Sequence, residues 1–238
     1  GVAELRDATH LLGLDTNETQ EAIASELGKG KHAISCFAIG PAGEHLVRFA
    51  AVVGDHGHVA GHNGSGAVLG SKRVKAIVAA RGGSFPLADK DRLSAAAKRV
   101  LEECLANPAG RNVYEWGTSQ LIMGAARGGY LPVKNYNTNE FPEAERFLGD
   151  NYRSIYPMQR EPCWACRFNH VHTITIPTGP YAGFKGEEPE YEQWASCGPQ
   201  IGNTDVSAAI VLANEIDSLG LETNETGWVI GWVMDCYE

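Results

Sequence analysis

Leu93-Ser94-Ala95-Ala96-Ala97-Lys98-Arg99-Val100-Leu101-Glu102-Glu103-Cys104-Leu105 carries apolar side chains at 93, 96, 97, 100, 101, 104 and 105. Recurrence at three and four residues marks one face of an amphipathic helix. Asn107-Pro108-Ala109-Gly110 stops that pattern. Beyond it the spacing predicts further helices at 113–126, 142–151, 189–197, 205–219 and 226–237, with loops rich in Gly, Pro and Asn between them, notably at 128–141 and 157–170. Before it the runs are shorter. Ala33–Ile39 reads as a strand closed by Gly40-Pro41, 46–53 as a second strand, and Val74–Ala80 as a buried third. An early helix is signalled by Asp15-Thr16-Asn17, with Asn17 three residues before Gln20, and runs to Leu27 with Gly28 as its stop. A short helix is expected to begin near Ala67. The segment 55–66 is too rich in His, Gly and Asn to pack a core and reads as a loop. The expected class is therefore α+β: a mixed, β-containing portion over residues 1–83, then an all-helical domain over 84–238, with the boundary near Gly82–Pro86.

Composition narrows the function classes. Hydrophobic residues make up 43% of 238, as in globular chains. No apolar run approaches the ~20 residues of a membrane span, and no basic-then-apolar leader is visible. Twenty Lys+Arg against 29 Asp+Glu give a net charge of −9, which argues against duplex nucleic acid as a partner. Six cysteines are too few for a disulfide scaffold, so a reducing, cytoplasmic setting is expected. The start at Gly1 and the stop within an apolar, helix-like run read as a piece of a longer protein.

Four segments could carry chemistry. His62-Asn63-Gly64-Ser65-Gly66-Ala67 precedes Gly70-Ser71-Lys72. Its glycines would let backbone N–H groups converge on a phosphate, although the spacing fits neither a Walker loop nor a dinucleotide fingerprint. The plainer reading is a tight surface turn. Cys163-Trp164-Ala165-Cys166, followed by His170 and His172, offers soft thiolate ligands for zinc or an iron–sulfur cluster, against the bland alternative of two ordinary thiols. Gly186-Glu187-Glu188-Pro189-Glu190-Tyr191-Glu192 puts carboxylates at a helix start, where the macrodipole alone would account for them. Asp217-Ser218-Leu219-Gly220-Leu221-Glu222 places Asp217 in a last helical turn, against the dipole. There a nearby Lys or Arg, or a ligand presenting two N–H donors such as a pterin, would compensate, and the plainer reading is an exposed Asp that costs little.

In this order, the segments resemble one family, the tungsten-containing aldehyde ferredoxin oxidoreductases. The resemblance extends through Asp7–Thr16, Gly40–Ala50, Gly66–Ile77, the Leu-Pro-x-x-Asn-like loop Leu131–Asn135, the acidic segment Gly186–Glu192 and the pterin-like motif Asp217–Glu222. It implies a tungsten (or molybdenum) bis-pyranopterin, a 4Fe–4S cluster, and a magnesium ion bridging the pterin phosphates. It also implies a β-rich N-terminal domain, whose end is residues 1–83, and a helical domain of the family type over 84–238.

Carried over residue by residue, the resemblance implies Cys163, Cys166 and His170 at the cluster. His62, Asn63, Gly64, Gly66, Ala67, Asp217, Gly220 and Leu221 would lie at the pterin, and Glu190, Glu192, His170 and Glu161 near the metal. The implied activity is oxidation of aldehydes to carboxylic acids, with ferredoxin or another low-potential carrier taking the electrons and the remaining C-terminal part of the enzyme completing the site. Two departures stand out. His170 occupies the third cysteine position of the family's cluster motif, and His62-Asn63-Gly64 replaces Arg-Gly-Gly. These point to an alternative, the class II benzoyl-coenzyme A reductases, which reduce an aromatic ring on an acyl-coenzyme A substrate. In that chemistry Glu161 and His170 would donate protons. Cys197 is then a candidate to complete the cluster. A different class of function is a cofactor-free structural or carrier-docking subunit. A side chain at Gly66 is expected to crowd the cofactor while sparing the fold.

Overall fold

A computed structural model describes residues 3–30, 33–80, 86–161, 163 and 165–237. The expected boundary segment Arg81-Gly82-Gly83 lies outside the described residues. The chain divides into two compact units, Gly1–Gly83 with Glu215–Thr226, and Ser84–Asn214 with Gly227–Glu238.

The first unit opens with α1 (Thr16–Glu26). Its cap is Asp15 rather than the expected Asn17: the Asp15 side chain accepts from Glu18 N–H, and the Glu18 side chain answers on Asp15 N–H. β1 (Ile34–Ala38) follows, then the short α2 (Pro41–Glu44). β2 (Val52–Gly54), β3 (His58–Ala60), α3 (Ser65–Ser71) and β4 (Ala76–Ala80) complete the unit. The strands form one antiparallel sheet in the order β3-β2-β1-β4. Leu11, Ile23, Ile34 and Cys36 form its core between α1 and the sheet.

Three expectations change here. The 46–53 strand shrinks to β2, because Leu46 turns left-handed (φ 57°). The 55–66 loop contains β3, paired Val52↔Ala60 to Gly54↔His58. β4 was expected to be buried, yet Ile77 is 58% exposed.

In the second unit, α4 (Lys90–Ala106) and α5 (Pro108–Trp116) meet at Asn107. Asn107 ends one helix and, by accepting from Ala109 N–H, starts the next, with Pro108 at the first helical position. The expected 113–126 helix is broken by Gly117, and α6 (Leu121–Gly128) resumes after it. The expected 142–151 helix is a 3-10 segment, Pro142–Phe147, followed by α7 (Gly149–Tyr152). The α+β class holds, but this unit is not all helical. β5 (Met158–Arg160), β6 (His172–Thr175) and β7 (Lys185–Glu187) form an antiparallel sheet of their own. They are three or four residues long, too short for periodicity to reveal. Then come α8 (Tyr191–Cys197), α9 (Val206–Leu219) and α10 (Thr223–Asp235). Trp194 anchors this core, with Phe147 and Tyr152 rings at 5.8 and 4.9 Å. No described helix is long and apolar enough to cross a membrane.

Candidate functional site

The register of β6 and β7 builds a polar site in the second unit. Thr173 pairs with Glu187, and Glu188 N–H donates to His172 C=O at 2.8 Å. Continuing that register brings Glu188 opposite His172 and Glu190 opposite His170. Alternate residues of a strand share a face, so the two His–Glu pairs stack on one side of the ladder. His172 Nδ1 lies 3.0 Å from Glu188 Oε2, and His170 Nε2 lies 3.1 Å from Glu190 Oε1.

The pairs differ in surroundings. Glu188 is buried and receives Arg153 Nε and Nη2, each at 2.7 Å, and the Tyr152 hydroxyl at 2.5 Å. Burial opposes the charge on Arg153, but the hydrogen bonds and charge of Glu188 outweigh it and raise the guanidinium pKa. Burial, and then Glu188, push the Tyr152 hydroxyl up as well. The outer pair is half-buried. Burial works to raise the Glu190 carboxyl, yet hydrogen bonds from His170 and Thr118 hold it below the usual range. The hydrogen bond to Glu190 raises His170, with burial opposing it. Thr118 Oγ1 accepts from Tyr191 N–H at 2.9 Å and so directs its own proton to Glu190 Oε2. Glu190 also caps α8, accepting from the backbone of Gln193.

The cysteine loop lies in the same unit. Cys166 N–H donates to Cys163 C=O at 3.2 Å around a left-handed Ala165 (φ 57°). Cys163 is partly buried and Cys166 is exposed. Burial, then the charges of Cys166 and Glu187, raise the Cys163 thiol. Two crowded soft donors of this kind suit a cationic metal centre, whose charge would reverse that repulsion. Two thiols so placed suit a thiolate-bound centre, zinc or an iron–sulfur cluster.

In the first unit the glycine loop and the 217–222 motif both pack on the segment 48–51. His62, Asn63 and Gly64 take left-handed φ of 59°, 57° and 65° before α3 begins. A Cβ on Gly64 would overlap the Arg48 carbonyl, and one on Gly66 the Ala51 carbonyl. On the other flank, Ala51 N–H donates to Gly220 C=O at 2.8 Å, and Ala50 bridges to Leu221. His62 Nδ1 consequently comes within 3.7 Å of Glu222 and 3.9 Å of Glu225. Glu225 Oε2, 3.9 Å from His62 Nδ1, makes no hydrogen bond among the described residues. A carboxylate oxygen so placed beside this loop has a lone pair to offer a ligand with N–H donors, as a pterin has.

Both halves of the chain match one family. Residues 1–81 match the aldehyde ferredoxin oxidoreductase N-terminal domain, and residues 95–238 match domains 2 and 3 of the same enzyme. The chain belongs to the aldehyde ferredoxin oxidoreductase family. It is 35% identical over 236 residues to a tungsten-containing aldehyde ferredoxin oxidoreductase of Pyrococcus furiosus, covering 99% of this chain but only 38% of that relative. It is 29% identical to the WOR-like subunit of an aliphatic sulfonate oxidoreductase of the same organism, covering 99% of this chain and 39% of the relative. The fold is similar to the active-site complex BamBC of benzoyl coenzyme A reductase, solved with 1,5-dienoyl-CoA. The TM-score is 0.77 at 19% identity, over 98% of this chain and 36% of that one.

Within this chain, the sequence-predicted residues fall into unequal groups. His170 and Glu190 come together directly. Glu192 is exposed in the first turn of α8, and the Glu161 backbone pairs with Val171. Asp217 is buried in the last turn of α9, where its carbonyl accepts from Thr16 Oγ1 at 3.0 Å. Cys197 is buried on α8. Of Gly66 the structure gives a different account from the one expected: its missing side chain makes room for the 48–51 backbone, so a substitution there would strike the fold itself. Sequence reasoning missed Arg153, Tyr152 and Thr118. The alternating pairs His170/His172 and Glu188/Glu190 are a signal that could have revealed the ladder.

Proposed function

We propose that the chain is part of a tungsten–pterin oxidoreductase that oxidises aldehydes to carboxylic acids and passes the electrons to ferredoxin or another low-potential carrier. What carries this reading is the match of both domain models, in order, along nearly the whole chain. The chain spans about two fifths of the curated relatives it matches (38% of the first), so the activity belongs to a longer protein. Residues 1–83 would be the end of the pterin-binding N-terminal domain and 84–238 the domain bearing the cluster motif.

In this reading Cys163 and Cys166 hold a 4Fe–4S cluster. His62–Ala67, Asp217, Gly220 and Leu221 lie along the pterin, with magnesium at its phosphates. When bound, the tungsten–pterin group supplies the two-electron chemistry and the cluster relays electrons. Oxidising an aldehyde with water to the acid releases two electrons and two protons. His170 is suited to carry one of those protons. Its Nε2 already faces Glu190, which favours proton traffic over iron ligation at that nitrogen. The hydrogen bond between them raises the His170 pKa and lowers that of Glu190, which favours a shared proton on the imidazole. Cytoplasmic location and the small-aldehyde substrate class belong to the same reading.

Aromatic ring reduction is the second reading, favoured by His170 standing at the third cysteine position. Elemental analysis of the anaerobically purified full-length enzyme should find both tungsten and iron, together with aldehyde-dependent reduction of ferredoxin. Neither metal in that preparation would overturn the proposal. Activity only with a dienoyl-coenzyme A would favour the second reading. Cys163→Ala and Cys166→Ala should each lose the iron.

A further inference from the structure

We infer that Arg153 is a positioning residue for the His170–Glu190 pair, acting through the inner pair and through the Gly117–Thr118 turn. The inference rests on the reading of that outer pair as the proton carrier.

Two segments fix the outer pair, and Arg153 touches both. The first is the ladder. Arg153 Nε and Nη2 bond the two oxygens of Glu188 at 2.7 Å each, and Nη2 lies 3.3 Å from His172 Nδ1. Tyr152 Oη and His172 Nδ1 complete the shell around Glu188, at 2.5 and 3.0 Å. A carboxylate only accepts, so Nδ1 of His172 carries a proton and donates it. With four donors, Glu188 has little capacity left for another partner, and its role is to anchor. Its anchorage fixes the chain two residues before Glu190 and, through His172, two residues after His170.

The second segment holds the far side of Glu190. Arg153 Nη1 donates to the Glu115 carbonyl at the end of α5. The next turn passes under the guanidinium at Gly117, where φ is 76° and a Cβ would lie 2.9 Å from Nη2. Any other residue would be strained there and would displace the arginine. Thr118, which donates to Glu190 Oε2, comes immediately after. One planar, forked cation therefore sets the separation between the segment bearing Thr118 and the segment bearing Glu188 and Glu190. Lysine has the charge but not the fork. Tyr152 Oη also reaches both segments, at Glu188 Oε1 and at Ser119 Oγ (3.4 Å), but through a single hydroxyl rather than a charged fork.

The test is Arg153→Lys in the full-length enzyme. In the metal-free protein with ¹⁵N-labelled histidine, the His170 Nε2–H resonance reports the hydrogen bond to Glu190 directly. It should be lost or strongly shifted, while the metal content of the loaded enzyme stays near that of the wild type. With acetaldehyde as substrate and benzyl viologen as acceptor, kcat should fall about a hundredfold, as expected for a misplaced catalytic group, with KM little changed. Glu188→Gln, which keeps the shape and removes the charge, should reproduce the lost resonance if the lysine variant does not fold. An unchanged His170 resonance in the folded variants would overturn the positioning role. A lost resonance with undiminished turnover would uphold the positioning and sink the proton-carrier reading instead.

Discussion

The glycine loop and the outer residues of the His–Glu ladder, His170 and Glu190, were both expected to hold chemistry, and the two regions are built on opposite terms. In the loop the chain gives up side chains. Gly64 and Gly66 are bare because the carbonyls of Arg48 and Ala51 occupy the space where a Cβ would be. In the ladder the chain concentrates side chains, and each polar group is answered by another: Arg153, Tyr152 and His172 on Glu188, and Thr118 and His170 on Glu190. A glycine-rich stretch is thus compatible with a packing requirement alone, whereas a convergent set of buried polar partners is costly unless complete.

That contrast is most exposed at Gly66. Gly66→Val would drive a branched side chain into backbone that cannot swing away. It should cost about 4–5 kcal/mol, at the upper end for a single substitution, read as a shift in the urea unfolding midpoint of the purified protein. Near-normal stability with tungsten lost would reverse the comparison and return the glycine to the cofactor.

Arg153→Met tests the other side. Removing one partner of a buried ion pair leaves the second charged and uncompensated, and Glu188 is only 5% exposed. The expected loss is roughly 3–5 kcal/mol. Combining Arg153→Met with Glu188→Leu should recover part of it, because the orphaned charge goes too. If the double variant were less stable by the full sum of the two single losses, the ladder would not be the coupled unit described here.

These two regions also show where sequence reading stops. α1, α4 and α9 were legible because their turns repeat an apolar period and end in recognisable stops such as Gly28 and Gly220. Cys163, Cys166, His170 and Glu190 were legible as residue types in a family-like order. Their partners were not. Arg153 is 35 residues from Glu188, and Thr118 is 72 from Glu190. Those pairings depend on the fold of β5–β7, whose strands are too short to carry a period. Gly117 lay inside the expected 113–126 helix, yet its φ and its contact with Arg153 make it part of the site.

Thr118→Val keeps the shape and removes the hydroxyl. Both the Tyr191 N–H and Glu190 Oε2 would lose a partner, at a cost of roughly 1–3 kcal/mol. Thr118→Ser should restore most of it in thermal melts. If serine fails to restore stability, methyl packing rather than the hydroxyl holds that turn, and Glu190 keeps His170 and the Gln193 backbone as its anchors.

The smallest effect expected is one of pH, and its sign follows from the two shifted groups. His170 is raised above its ordinary value of 6.5, so the stability it contributes is complete below that value and fades as pH climbs through the folded pKa. Glu190 is lowered from 4.5, so its contribution is complete above that value and fades as pH drops through the folded pKa. Between about 4.5 and 6.5 both charges are present, and the pair stabilises most. Comparing urea unfolding of the wild type with that of His170→Gln across pH should give a difference that is largest in this window and smaller on both sides. A flat His170→Gln difference would mean that the outer pair holds no proton between its two groups, and the proton-carrier reading of His170 would fall.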